Sequence, residues 1–73
     1  MNIELTEMEL NIINEIEINI NRGLNSFKIF EDEVWQIDSF RIQTYLRETK
    51  YPEIIVSIIY EFNNNSYYLK LKL

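Results

Sequence analysis

The sequence predicts an α+β fold: one N-terminal amphipathic helix packed on a mainly antiparallel sheet of three to five strands that ends in a β-meander. Two observations predict it. Apolar residues recur at helical spacing between Met8 and Ile20, whereas from Ser39 onward they recur at every second position or run together. The two periods are segregated along the chain, which separates α+β from alternating α/β architecture. At 73 residues, the chain is short enough that residues 1–73 are expected to form one small domain.

The helix starts at Leu5-Thr6-Glu7-Met8-Glu9-Leu10. Thr6 is a capping residue, Glu9 stands three positions later to complete a capping box, and Leu5 and Leu10 occupy the positions of a hydrophobic staple. From Glu7 to Asn21, a rotation of about 100° per residue gathers Met8, Leu10, Ile12, Ile13, Ile16 and Ile20 on one arc and places Asn11, Asn14 and Glu15 opposite. Gly23 suits the left-handed C-terminal position. The stretch from Glu15 to Asn21 also alternates as a strand would, and the capping signals with Gly23 decide for helix.

Residues 24 to 38 fit two forms. One is a hairpin of Phe27-Lys28-Ile29-Phe30 and Val34-Trp35-Gln36-Ile37 around the turn Glu31-Asp32-Glu33; the other is an irregular segment with a short helical turn. The hairpin is the expectation, adding to the sheet. In Phe40 to Arg47, Phe40, Ile42, Thr44 and Leu46 alternate with Arg41, Gln43, Tyr45 and Arg47, which predicts a strand. Ile54 to Phe62 is apolar at nearly every residue and reads as a central strand. Asn63-Asn64-Asn65-Ser66 is a tight loop, because Asn tolerates positive φ. Tyr67 to Leu73 closes the meander, with Tyr67, Leu69, Leu71 and Leu73 on one face and Tyr68, Lys70 and Lys72 on the other.

Composition excludes several classes of chemistry. There is no Cys and no His, so disulfides, Cys/His zinc sites and the side chains most readily poised near neutral pH are all missing. The single glycine leaves no Gly-rich phosphate loop, and Glu31-Asp32-Glu33 lacks the spacing of a calcium loop. No catalytic residue, metal site or cofactor is expected, and the protein is expected not to be an enzyme. No apolar run has the roughly 18 residues of a spanning helix, and Met1-Asn2-Ile3-Glu4 lacks the features of a signal peptide. The expected location is the cytoplasm, with no membrane partner.

Charge is distributed unevenly. The net charge is -5, with the acids concentrated before Val34. This opposes attraction of the whole molecule to nucleic acid. Two contact surfaces follow from the pattern. The sheet face not covered by the helix would centre on Ile55 and Ile59, ringed by Arg41, Tyr45, Arg47 and Tyr68, an apolar and aromatic centre with Arg around it, as protein interfaces have. A simpler alternative is that residues 24 to 38 with Trp35 cover Ile55 and Ile59. The second surface is acidic: Glu7, Glu15, Glu17, Glu31, Asp32 and Glu33, carboxylates that would steer a basic partner or serve only solubility.

Abundant Ile and Asn with no Ala point to an AT-rich source. In size and acidity the chain is similar to small inhibitors carried by phages and mobile elements. The expected function is therefore a small acidic protein-binding module, an inhibitor or regulator of a larger host protein of the anti-defence type. The alternatives are a nucleic-acid-binding module using the basic and tyrosine-bearing sheet face, and a structural homo-oligomer subunit, for which a twofold dimer through that face is the simplest form.

Overall fold

The computed structural model describes residues 4–73, so the N-terminal segment Met1-Asn2-Ile3-Glu4, expected not to be a signal peptide, lies largely outside the described residues. Helix α1 spans Glu7–Asn21, as the periodicity predicts. Its capping box is complete: the Thr6 hydroxyl accepts from the Glu9 N–H at 3.1 Å, and the Glu9 carboxylate accepts from the Thr6 N–H at 2.9 Å. Ile12, Ile13 and Ile16 are buried. The buried arc is narrower than the periodicity suggests, since Leu10 is half exposed, while Leu5, ahead of the cap, packs against the core. At the C-terminus Gly23 adopts φ +74°. Its N–H reaches the Ile20 carbonyl and the Leu24 N–H reaches the Asn19 carbonyl, the paired bonds of a Schellman motif.

Strand β1, Ser26–Ile29, follows the turn, and the chain then forms helix α2, Glu31–Val34. The expected hairpin is therefore half right. Phe27 to Ile29 is extended, but Glu31-Asp32-Glu33 is the first turn of α2, where three carboxylates suit the positive end of the helix, and no return strand follows.

The larger difference lies at Ser39–Thr49, which is helix α3 and not a strand. Asp38 caps it, its carboxylate accepting from the N–H groups of Phe40 and Arg41 at 3.0 and 3.3 Å. Ile42 and Leu46, four residues apart, are both fully buried, while Phe40 stands in solvent. A spacing of four is common to both periods, so the two deepest residues satisfied the strand pattern as well as the helical one.

Strands β2, Ile55–Glu61, and β3, Ser66–Lys72, form a hairpin whose loop turns at Asn65 with φ +48°. The sheet has three antiparallel strands in the order β1-β3-β2. It is thus not a meander through residues 40 to 47, and the central strand is β3, with β2 at an edge. Beside β2 lies α3. Its Gln43 side chain accepts from the Val56 N–H, and the Arg47 guanidinium donates to the Ile54 carbonyl, each at 2.8 Å. These bonds satisfy main-chain groups that a neighbouring strand would otherwise take.

One core joins the two layers. Ile12, Ile13 and Ile16 of α1 and Ile42 and Leu46 of α3 pack on Ile29, Ile54, Val56, Leu69 and Leu71. Each fully buried Ile or Leu contributes ~1.5–3 kcal/mol of transfer free energy. Both long helices therefore cover the same face of the sheet. Among the described residues no helix is long and apolar enough to cross a membrane.

Candidate interaction surface

The strand register determines what the uncovered face carries. Side chains of directly opposed residues lie on one side of a sheet, so Ile55 pairs with Lys72, Ser57 and Ser26 flank Lys70, and Ile59 and Lys28 flank Tyr68. Alternation along each strand directs these residues away from Val56, Leu69, Leu71 and Ile29, which are buried. Ile55 and Ile59 remain 42% and 40% exposed. Three of the four lysines, Lys28, Lys70 and Lys72, stand around this apolar centre, with Glu61 on the same face beyond Ile59. The charge bias seen along the sequence is thus a bias between layers: the sheet face is basic, and the helices carry most of the acids.

Of the residues expected at this face, Ile55, Ile59 and Tyr68 come together, with Ile59 and Tyr68 directly opposed. Arg41, Tyr45 and Arg47 do not join them, because they belong to α3 on the far layer. Their interactions there are intramolecular. Arg41 pairs with Glu9 at 3.1 Å and also donates to the Glu4 carbonyl, Arg47 donates to Ile54, and Tyr45 packs half-buried against the core. Glu9 is only 2% exposed, so one carboxylate both caps α1 and fastens it to α3. Lys28 supplies the cation that the misplaced arginines do not. The alternation Phe27-Lys28-Ile29 held that information, because Ile29 faces the core and Lys28 must then face outward.

Residues 24 to 38 do not cover Ile55 and Ile59. Val34 and Ile37 pack against the helix-side core, and Trp35 is 80% exposed. At the hairpin end, Tyr60 and Tyr67 are opposed with ring centroids 5.1 Å apart, the Tyr60 hydroxyl bonds Asn65, and Phe62 projects into solvent. The hydroxyl of Ser66 is buried with no hydrogen-bond partner among the described residues.

The acidic residues fall in separate settings. Glu7 and Glu15 are exposed on α1, and Glu31, Asp32 and Glu33 cluster on α2. Glu17 is engaged with Lys50 at 2.9 Å. That hydrogen bond, and then the carboxylate's charge, raise the Lys50 ammonium above its ordinary pKa of 10.5. Glu15 and Glu33 both line a groove between α1 and β1, together with Lys28. Among the described residues no group of three or more potential ligands is placed to hold a metal. The arrangement offers non-covalent contact: an apolar centre with a basic fringe on one layer, carboxylates on the other. No protein family, curated protein or solved structure matches this chain.

Proposed function

We propose that this chain is a protein-binding module, not an enzyme, and that its uncovered sheet face holds an acidic, partly apolar surface of a larger protein which it inhibits or regulates. The observation carrying this reading is the half-exposed cluster of Ile55, Ile59 and Tyr68 inside a fringe of Lys28, Lys70 and Lys72. Aromatic and apolar anchors at the centre with charge at the rim are the usual anatomy of such contacts. The lysines favour an acidic partner over a second copy, since a face-to-face dimer would bring two lysine-rich surfaces together. The AT-rich residue usage supports a phage or mobile-element setting. Single-stranded nucleic acid is the weaker occupant, because Tyr68 offers one ring for stacking and the chain carries -5 overall.

The test compares the wild-type chain with Ile59→Glu and Lys70→Glu as bait for host proteins. A partner held by the wild type and released by both folded variants is the expected result. Equal retention by all three would refute the assignment, as would global unfolding of Ile59→Glu, which would make that residue core. Salt-sensitive binding of a single-stranded oligonucleotide, or a mass that rises with concentration in the absence of other proteins, would replace it with one of the two rivals.

A further inference from the structure

The two outer strands of the sheet are finished differently. The N–H of Leu71 donates to the Asn25 carbonyl at 2.7 Å, so β3 turns Leu71, and by alternation Leu69 and Tyr67, toward β1. Phe27 and Ile29, opposite Leu69 and Tyr67, take those bonds, and the main-chain groups of Ser26 and Lys28 point away from the sheet. On β2 the corresponding outward row begins at Ile54 and Val56, and there α3 supplies Arg47 and Gln43. No described side chain or strand does the same for Ser26 and Lys28.

Beside this open edge runs a groove between β1 and α1. It is lined by the apolar Met8, Ile12, Phe27 and Phe30, by the carboxylates Glu15 and Glu33, and by one cation, Lys28. Ile12 is buried, Met8 and Phe27 are half-buried, and Phe30 is 65% exposed. An unpaired edge next to an apolar groove is the geometry of strand addition, in which main-chain hydrogen bonds supply affinity and alternate side chains supply specificity.

We propose that an extended peptide segment of a partner protein adds to β1 at Ser26 and Lys28, setting apolar side chains into this groove and basic ones against Glu15 and Glu33. Charge selects this occupant over a second copy. Two carboxylates against the single cation Lys28 leave the groove net acidic; a β1-to-β1 pairing would bring two such acidic grooves together, whereas a peptide with flanking cations supplies the missing positive charge. The site shares Lys28 with the fringe of the uncovered sheet face, but it uses that residue's main chain and the groove on the helix side, not its place beside Tyr68. Peptide binding at β1 would stand even if that face proved idle.

The probe is the capped heptapeptide RTLTLTR, whose odd positions place two Leu between two Arg on the groove side. It is titrated into the isotopically labelled full chain and followed by amide shifts and hydrogen exchange. Saturable shifts at Ser26 and Lys28, with exchange of their amides slowed about tenfold or more, are expected. The analogue ETLTLTE should bind at least about tenfold more weakly, or not at all. Lys28→Pro removes only an outward N–H, which an edge strand tolerates, and should abolish the shifts in a folded protein. Should that variant fail to fold, the double change Glu15→Lys and Glu33→Lys, both lining the groove, should weaken binding about tenfold. Shifts confined to Ile58 and Tyr60, equal binding of the two peptides, or lack of saturation would overturn the proposal. Protection of β1 amides that rises with protein concentration alone would overturn it in favour of a second copy.

Discussion

One sheet presents two faces built from the same three strands, and they differ in what covers them. The helix side carries Ile29, Val56, Leu69 and Leu71, all buried beneath α1 and α3. The other side carries Ile55, Ile59 and Tyr68 with three lysines, at the same register positions displaced by one residue. Apolar content alone therefore does not decide which face is core; β2 is apolar on both sides over most of its length. What decides it is which face the helices can reach with uninterrupted apolar side chains, and the lysines of β1 and β3 exclude one of the two.

The sharpest break of this comparison sets Leu69 on the covered face against Ile59 on the open one. Leu69→Ala, at a fully buried position of the central strand, should lose about 2–5 kcal/mol of unfolding free energy. Ile59→Glu, on the open side, should lose about 1 kcal/mol or less, through strand propensity. Urea denaturation of the two variants checks this. Similar losses would mean that both faces are core.

A second, smaller effect concerns how the covered face keeps its cover. Arg41→Ala leaves the Glu9 carboxylate, 2% exposed, with the Thr6 N–H as its remaining partner. The expected loss is about 1–3 kcal/mol, below that of a wholly buried pair because Arg41 is itself part-exposed. Glu9→Gln in the same background should recover part of it, since no buried charge then remains. A loss that Glu9→Gln does not touch would assign the cost to packing of the arginine stem. Gly23→Ala follows at about 1 kcal/mol, because φ +74° strains any residue with a Cβ although open space surrounds the site.

What the sequence disclosed depended on whether the signal was local and unshared. Thr6, Glu9 and Gly23 each mark a helix end by chemistry that has no strand counterpart, and α1 lies where they predict. Asn65 likewise turns the β2–β3 loop at positive φ. Between Phe40 and Arg47 the apolar spacing satisfied two periods, and the discriminating residue, Asp38 as a cap, lay outside the window that was alternating. The candidate surface inherited that ambiguity. Its centre was legible because Ile55 and Ile59 follow from strict alternation in β2; its rim was not, because Arg41, Tyr45 and Arg47 depended on the nature of α3. Lys28 lies in a strand the sequence indicated, and its outward side follows from alternation with Ile29; its place beside Tyr68 does not, because that depends on the pairing of β1 with β3.

The smallest expected effect concerns Lys50 and Glu17, an exposed pair that ties the end of α3 to α1 over the covered face. The hydrogen bond to Glu17, and then its charge, hold the folded Lys50 above the ordinary 10.5. A cation whose folded pKa lies above its unfolded one stabilises the fold throughout the range below the unfolded value, and that contribution fades as pH rises through the folded value. Thermal midpoints of the wild type and Glu17→Gln should therefore differ by a constant amount through neutral pH and converge above about 10.5. Every other group is common to both proteins, so the difference between the two curves isolates the pair. The gap should also close in about 1 M salt at neutral pH, where the screening length falls to about 3 Å. A gap that survives both high pH and salt would come from packing of the half-buried Glu17 stem, and the tie between the helices would then be steric.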